Sequence, residues 1–359
     1  MLDKEKRSSA DLDALLQLVL TPDNAQRAIT YIASLNESDW NCLVAVADAN
    51  HVVRRAFRLL AEPVGAVPRR ADAVARILSR EEERIENALT FLHHICGELE
   101  RADCPTSVIK SLDHWPDLGA DLDLYTSATP RRVIRVMLQR MRARVDARSW
   151  GDRLANKWNF IVPGLSELVE VHAQRLGQTG EHLAIAKRLG SRRMVKTING
   201  LTFLVPYPEE RIIIATLQRM YRHFYLRVCD IVNLLTLLDC KQVDFVELKK
   251  SSDLGGIWQG VATYLKIAAD FSQSYRGIVP ELPAEVLSAA RFGGEVVHAD
   301  GKFLRVPIIP NGASLYVRQV ADTTLRGDVA ATLRLSMLPG LASAAAVAFR
   351  MTGSDKGIW

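Results

Sequence analysis

Asp121-Leu122-Asp123-Leu124 sets two carboxylates one residue apart in a run that alternates acidic and apolar side chains. On a β-strand, alternate side chains share a face, so Asp121 and Asp123 project together while Leu122 and Leu124 enter the core behind them. Two like charges held side by side favour a cation between them, and hard carboxylate oxygens suit Mg²⁺ carrying a polyphosphate. Upstream, Ser111 ends the run Val108-Ile109-Lys110-Ser111. Its hydroxyl, the backbone N–H groups of the turn and Lys110 are candidates to hold terminal phosphate oxygens. Glu170, in Leu168-Val169-Glu170-Val171-His172, offers a third carboxylate and shares a strand face with His172. Three convergent carboxylates would bind two Mg²⁺ ions, activate an acceptor hydroxyl and stabilise a leaving pyrophosphate.

Other polar groups have competing readings. Lys187, Arg188, Arg192, Arg193 and Lys196 form the densest basic cluster, around Gly190-Ser191, and Arg192 and Arg193 are candidates to meet substrate phosphates. A solvated loop explains them equally. Tyr221, Arg222, His223, Arg227 and Asp230 fall at helical spacing, with Arg227 and Asp230 placed to pair on one face. His223 and Arg227 are candidates to flank a nucleotide; a helix-packing polar network is the plainer alternative. Adjacent His93 and His94 point about 100° apart on a helix and do not make a metal site with Cys96.

The run Ile109-Lys110-Ser111, nine intervening residues, then Asp121-Leu122-Asp123-Leu124 resembles the nucleotidyltransferase superfamily, whose pattern is a Gly-Ser turn followed by a spaced Asp-x-Asp. Lys110 stands where that pattern has glycine. The strand Val169-Glu170-Val171-His172, the segment Pro206-Tyr207-Pro208-Glu209-Glu210 and the later Tyr221-Arg222-His223-Phe224 are similar to an uncharacterised bacterial branch with helical flanks. The resemblance implies transfer of a nucleoside monophosphate from an NTP to an acceptor, and leaves open a small molecule, a peptide or RNA as that acceptor. The rival from a different class is a non-catalytic nucleotide- or partner-binding protein of the same fold.

The elements that must position these groups follow from periodicity. Residues 1–103 read as a helical region, with a break bracketed by Pro63 and Pro68. Residues 104–206 read as an α/β (α+β) core, with strands at 107–112, 121–125, 158–162, 168–172 and 197–205 and helices at 130–147 and 181–189. Residues 207–292 are helical again, including one long helical run over 212–238. Residues 293–359 hold a hairpin turning at Asp300-Gly301, whose strands extend over 296–317, and a last helix over 326–350.

With 48% hydrophobic and 24% charged residues, the composition is that of a folded globular protein rather than a disordered chain. A net charge of +5, from 46 basic and 41 acidic residues, is compatible with a phosphate-bearing ligand but does not demand nucleic acid. Five scattered cysteines read as reduced thiols, and the absence of an apolar leader or span predicts a cytoplasmic protein with no membrane partner.

Overall fold

The structure, a computed structural model, describes residues 2–62 and 67–352; Pro63, one side of the break expected from sequence, lies outside them. It is a mixed α+β architecture with a central mixed sheet and helical flanks. Helices α1 (Leu2–Leu20), α2 (Gln26–Ser34), α3 (Glu37–Ala49), α4 (Val53–Ala61) and α5 (Ala71–Arg101) come first. The core follows as β1 (Thr106–Val108), β2 (Asp121–Thr126), α6 (Pro130–Gln139), β3 (Arg144–Val145), α7 (Trp150–Leu154), β4 (Lys157–Ile161) and β5 (Leu168–Ala173). Then come α8 (Leu183–Ser191), β6 (Arg193–Ile198), β7 (Leu201–Pro206), α9 (Pro208–Gln218), β8 (Tyr225–Leu226) and α10 (Val228–Asp239). The chain closes with α11 (Phe245–Asp253), α12 (Trp258–Arg276), α13 (Ala284–Ala289), β9 (His298–Asp300), β10 (Phe303–Arg305), α14 (Ala313–Leu325), α15 (Val329–Ser336) and α16 (Leu338–Thr352).

The main sheet has five strands in the order β1-β2-β5-β4-β3. Only β2 and β5 run parallel, and their register sets Asp123 beside Glu170; β4 is antiparallel to β5 and sets Asn159 on the other side of Glu170. The apolar alternates Leu122, Leu124, Val169 and Val171 are fully buried in a core shared with Leu89, Leu92 and Ile95 of α5. At about 2 kcal/mol for each large aliphatic side chain removed from water, that burial fixes which face of β2 the aspartates occupy. A second core joins α1–α4 to α9, α10 and α12.

Four local expectations are corrected. The strand at 197–205 is a hairpin, β6 and β7, turning at Asn199-Gly200, where both residues have positive φ as a two-residue turn requires. The helix at 130–147 ends at Gln139, and the chain continues into the edge strand β3. The helical run over 212–238 breaks into α9, a π-helical turn over Arg219–His223, left-handed Phe224 and short β8 before α10. The later hairpin does turn at Gly301, but it is short, and helix α14 already begins at Ala313.

Candidate functional site

The open face of the sheet carries the chemistry. Asp123 is 8% exposed, whereas Asp121, at the strand's start, stands exposed at the rim. Glu170 and His172 project from β5 and Lys157 from β4 into the same region. Glu170 is held from two sides: His172 Nε2 lies 2.8 Å from Oε1, and Lys157 Nζ lies 3.0 Å from Oε2. Lys110 Nζ is 2.5 Å from Asp123 Oδ1 and 3.9 Å from Glu170.

These charges set the proton affinities. Burial pushes Asp123 up to about 7, with Lys110 opposing and the charges of Glu170 and Asp121 adding to the rise. Burial, then the charge of Glu170, raises Asp121 as well. Burial also works against ionised Glu170, but the hydrogen bond from His172 and the charges of Lys157 and Lys110 outweigh it and hold that carboxyl well below its usual range. Burial keeps His172 neutral despite its acidic partner. Glu170 is therefore the resident anion, and Asp123 is the carboxylate with the most to gain from an added cation.

The turn before β2 does not work as the sequence suggested. Lys110 has φ 62° and ψ −58°, the centre of a three-residue turn in which Ser111 N–H donates to Ile109 O at 2.7 Å. This is a strained conformation for a residue with a side chain, costing about 1–3 kcal/mol. Its result is to aim the ammonium at the acids. Ser111 is 1% exposed, and its hydroxyl donates to Asp121 O at 3.2 Å and accepts from Asp123 N–H at 2.8 Å. Both the hydroxyl and the N–H of Ser111 are thus spent tying the turn to β2, which leaves neither for phosphate.

The groups able to receive phosphate stand on the opposite wall. Asp121, Asp123 and Glu170 line a cleft whose far side is formed by Arg219, Arg222, His223 and Arg227. The π-helical turn widens the coil at Arg219–His223, a distortion common at functional positions. Tyr221 of that turn lies against α12, where a Cβ on Gly260 would come within 2.4 Å of its ring; only glycine admits that approach. Arg219 is 1% exposed, with Nε 2.6 Å from Asp230 Oδ2 and a buried Nη1 that has no hydrogen-bond partner. Arg227 Nε is likewise buried and unpartnered; Arg222, only half-buried, lines the cleft beside it and has no ion pair among the described residues. An unpaired buried donor is costly, and a ligand bringing several anionic oxygens would satisfy these groups together. Burial first, then the neighbouring arginines, pushes His223 down to about 2, so it faces the cleft as a neutral imidazole.

The structure brings together Asp121, Asp123, Glu170, Lys110, His172, His223 and Arg227 from the sequence candidates. It takes Arg192 and Arg193 elsewhere. Arg192 pairs with Glu209 at 2.8 Å and Glu210 at 2.9 Å, and Arg193 with Glu100 at 3.1 Å; neither lines the cleft. Asp230 accepts the backbone N–H of Arg227 and pairs through its side chain with Arg219 rather than with the Arg227 guanidinium. Sequence reasoning missed Lys157, Arg219 and His51. A lysine opening the otherwise apolar-rich run Lys157-Trp158-Asn159-Phe160-Ile161 was the available signal for the first, and the spacing of Arg219, Arg222, His223 and Arg227 for the second. His51 had none.

Asp123, Glu170 and His172 bring ligand atoms within 4.8 Å of one another. A cation already stands there in the form of Lys110, while Asp121, outside that set, presents its carboxylate at the exposed rim of the same cleft. These residues fit a divalent cation carried on Asp121 and Asp123. His51, His114 and Cys229 also converge within 4.8 Å, but they offer ring nitrogens and a thiol that burial keeps protonated, not the hard oxygens Mg²⁺ takes.

No family model matches the sequence, and no curated protein matches it. Among solved structures the chain is similar to an antigenic nucleotidyltransferase-like protein from Paracoccidioides brasiliensis, at 13% identity and a TM-score of 0.35, over 57% of this chain and 94% of that one. At that TM-score the likeness carries no argument. No described helix is long and apolar enough to cross a membrane.

Proposed function

We propose that the protein is a Mg²⁺-dependent nucleotidyltransferase that moves a nucleoside monophosphate from an NTP to an acceptor hydroxyl, breaking the α–β phosphoanhydride bond and releasing pyrophosphate. The observation that carries this reading is the opposition of two walls: carboxylates on the sheet, and arginines with unfilled donors across the cleft. A triphosphate bridging them would satisfy Arg219, Arg222 and Arg227 and leave its α-phosphorus toward the sheet. Mg²⁺ on Asp121 and Asp123 would offset charge on the phosphates. Asp121 and Asp123 orient the bound NTP. Glu170, held ionised by Lys157 and His172, would fix those two side chains beside the reacting groups rather than take up a proton itself. The acceptor, whether a small molecule, a peptide or RNA, would enter along the groove that continues from Lys157 and Arg222 past Asn159 and Asp146.

The alternative is nucleotide binding without transfer, and the closed Ser111 turn favours it. Calorimetry with each NTP, with and without Mg²⁺, tests the binding that both share; Mg²⁺-dependent binding is expected. Incubation with α-labelled NTP and acceptor pools then separates them. Label that stays in NTP across every pool, despite tight Mg²⁺-dependent binding, would favour the non-catalytic protein.

A further inference from the structure

Resting on the metal-dependent reading above, we infer that this is a one-ion centre, in which Lys110 and Lys157 neutralise Asp123 and Glu170 in place of a second divalent cation. The inventory of carboxylate oxygens is the ground for it. Both oxygens of Glu170 are taken, Oε1 by His172 Nε2 at 2.8 Å and Oε2 by Lys157 Nζ at 3.0 Å. One oxygen of Asp123 is taken by Lys110 Nζ at 2.5 Å. What remains is the other oxygen of Asp123 and both oxygens of Asp121. Mg²⁺ uses one or two carboxylates and keeps several waters, so that remainder serves one ion and not two.

Neither ammonium is a loose surface group. Lys157 is 8% exposed and also lies 3.0 Å from Asp152 Oδ1. The second oxygen of Asp152 accepts the N–H of Ser149 at 3.0 Å in the cap of α7, so the lysine is clamped between the catalytic sheet and a fixed helix end. Lys110 is held by its backbone, because the positive-φ turn closed by Ser111 N–H leaves its side chain directed into the acids. A glycine there would adopt the same turn without strain and without a charge. The strained lysine supplies a charge at the acids that a glycine in the same turn would not. A second cation arriving at Glu170 would have to displace a buried, doubly paired ammonium.

The test is a titration of the full-length protein with Mn²⁺ alone, following free Mn²⁺ by electron paramagnetic resonance. The wild type is expected to take up one ion per chain, and Asp121→Asn to lose it. Lys157→Met, which frees an oxygen of Glu170, is expected to gain a second ion, while Lys157→Arg stays at one. Lys110→Met is expected to bind its first ion about tenfold more tightly, since a charge competing for Asp123 is gone. Two ions in the wild type would overturn the inference and leave the metal-dependent reading standing. No uptake by wild type or variants would remove that reading itself. A folded Lys157→Met protein that still takes one ion overturns the role given to Lys157; if that variant does not fold, the wild-type count decides.

Discussion

Two clusters of charge in this molecule are similar in density and opposite in kind. In the first, Arg188 and Arg192 meet Glu209, Glu210 and Glu247, and each arginine has at least two acidic partners. Arg192 also lies over the ring of Tyr207. In the second, the carboxylates of β2 and β5 face Arg219, Arg222 and Arg227 across open space, and several guanidinium donors have no partner. The first cluster is ion-paired throughout and joins α8 to α9 and α11, with Glu210 Oε2 the carboxylate oxygen left without a hydrogen bond. The second is unfinished without a ligand. Density of charge does not mark a site; charge of both signs left unmatched around a void does.

The largest expected effect breaks the second cluster at its acids. Asp123→Asn should lower nucleotide transfer by at least about 10³-fold, a loss of several kcal/mol of charge stabilisation, with an unchanged circular dichroism spectrum. Turnover like that of the wild type would remove Asp123 from the machinery.

The next two changes set the clusters against each other. Arg192→Ala strips a partner from Glu209 and Glu210, which are 2% and 1% exposed. It should cost about 3 kcal/mol of stability by denaturant unfolding while leaving the Kd for Mg²⁺·NTP where it was. Arg222→Ala should do the converse. It removes a guanidinium with nothing to hold in the free protein, so the unfolding midpoint should stay put while Kd rises about 10- to 100-fold. If Arg192→Ala weakens nucleotide binding and Arg222→Ala only destabilises, the division between a closed and an open cluster is mistaken.

This contrast also marks what could be read from the chain. The alternation Asp121-Leu122-Asp123-Leu124 disclosed a strand, its buried face and its reactive face, because period-two burial is local information. Glu170 was legible for the same reason, although its place beside Asp123 comes from a parallel pairing that sequence spacing does not state. The partners of Arg192 were not legible: Glu209 lies 17 residues away and reaches it only after the β6–β7 hairpin folds back. The hairpin is visible in Asn199-Gly200, although the β-rich run around that dipeptide reads as one continuous strand. At 219–227 the apolar helical period persists through the π turn, so the break that turns Arg219 and Arg222 toward the sheet leaves no mark in the pattern. Nothing in a lysine codon announces the positive φ of Lys110. Tertiary context imposes it.

The smallest expected effect is on acid stability, and it belongs to the open cluster because its histidines are kept neutral by their surroundings. Burial first, then Arg227, Arg219 and Arg84, brings His51 down to about 2, and His223 is brought to a similar value by burial and its flanking arginines. An unfolded histidine titrates near 6.5. Between these values the unfolded chain binds protons that the folded chain refuses, so stability is full above about pH 6.5 and falls as the pH drops through and below it. Each histidine contributes about 1 kcal/mol per pH unit in that range. His223→Gln should therefore flatten the fall in unfolding free energy between pH 6.5 and 5 relative to wild type. The closed cluster holds no histidine, and Arg192→Ala should leave that slope as it was. A slope unchanged by His223→Gln would mean that the imidazole takes up a proton in the folded cleft, and with it that the arginine wall is less electropositive than its unpaired donors require.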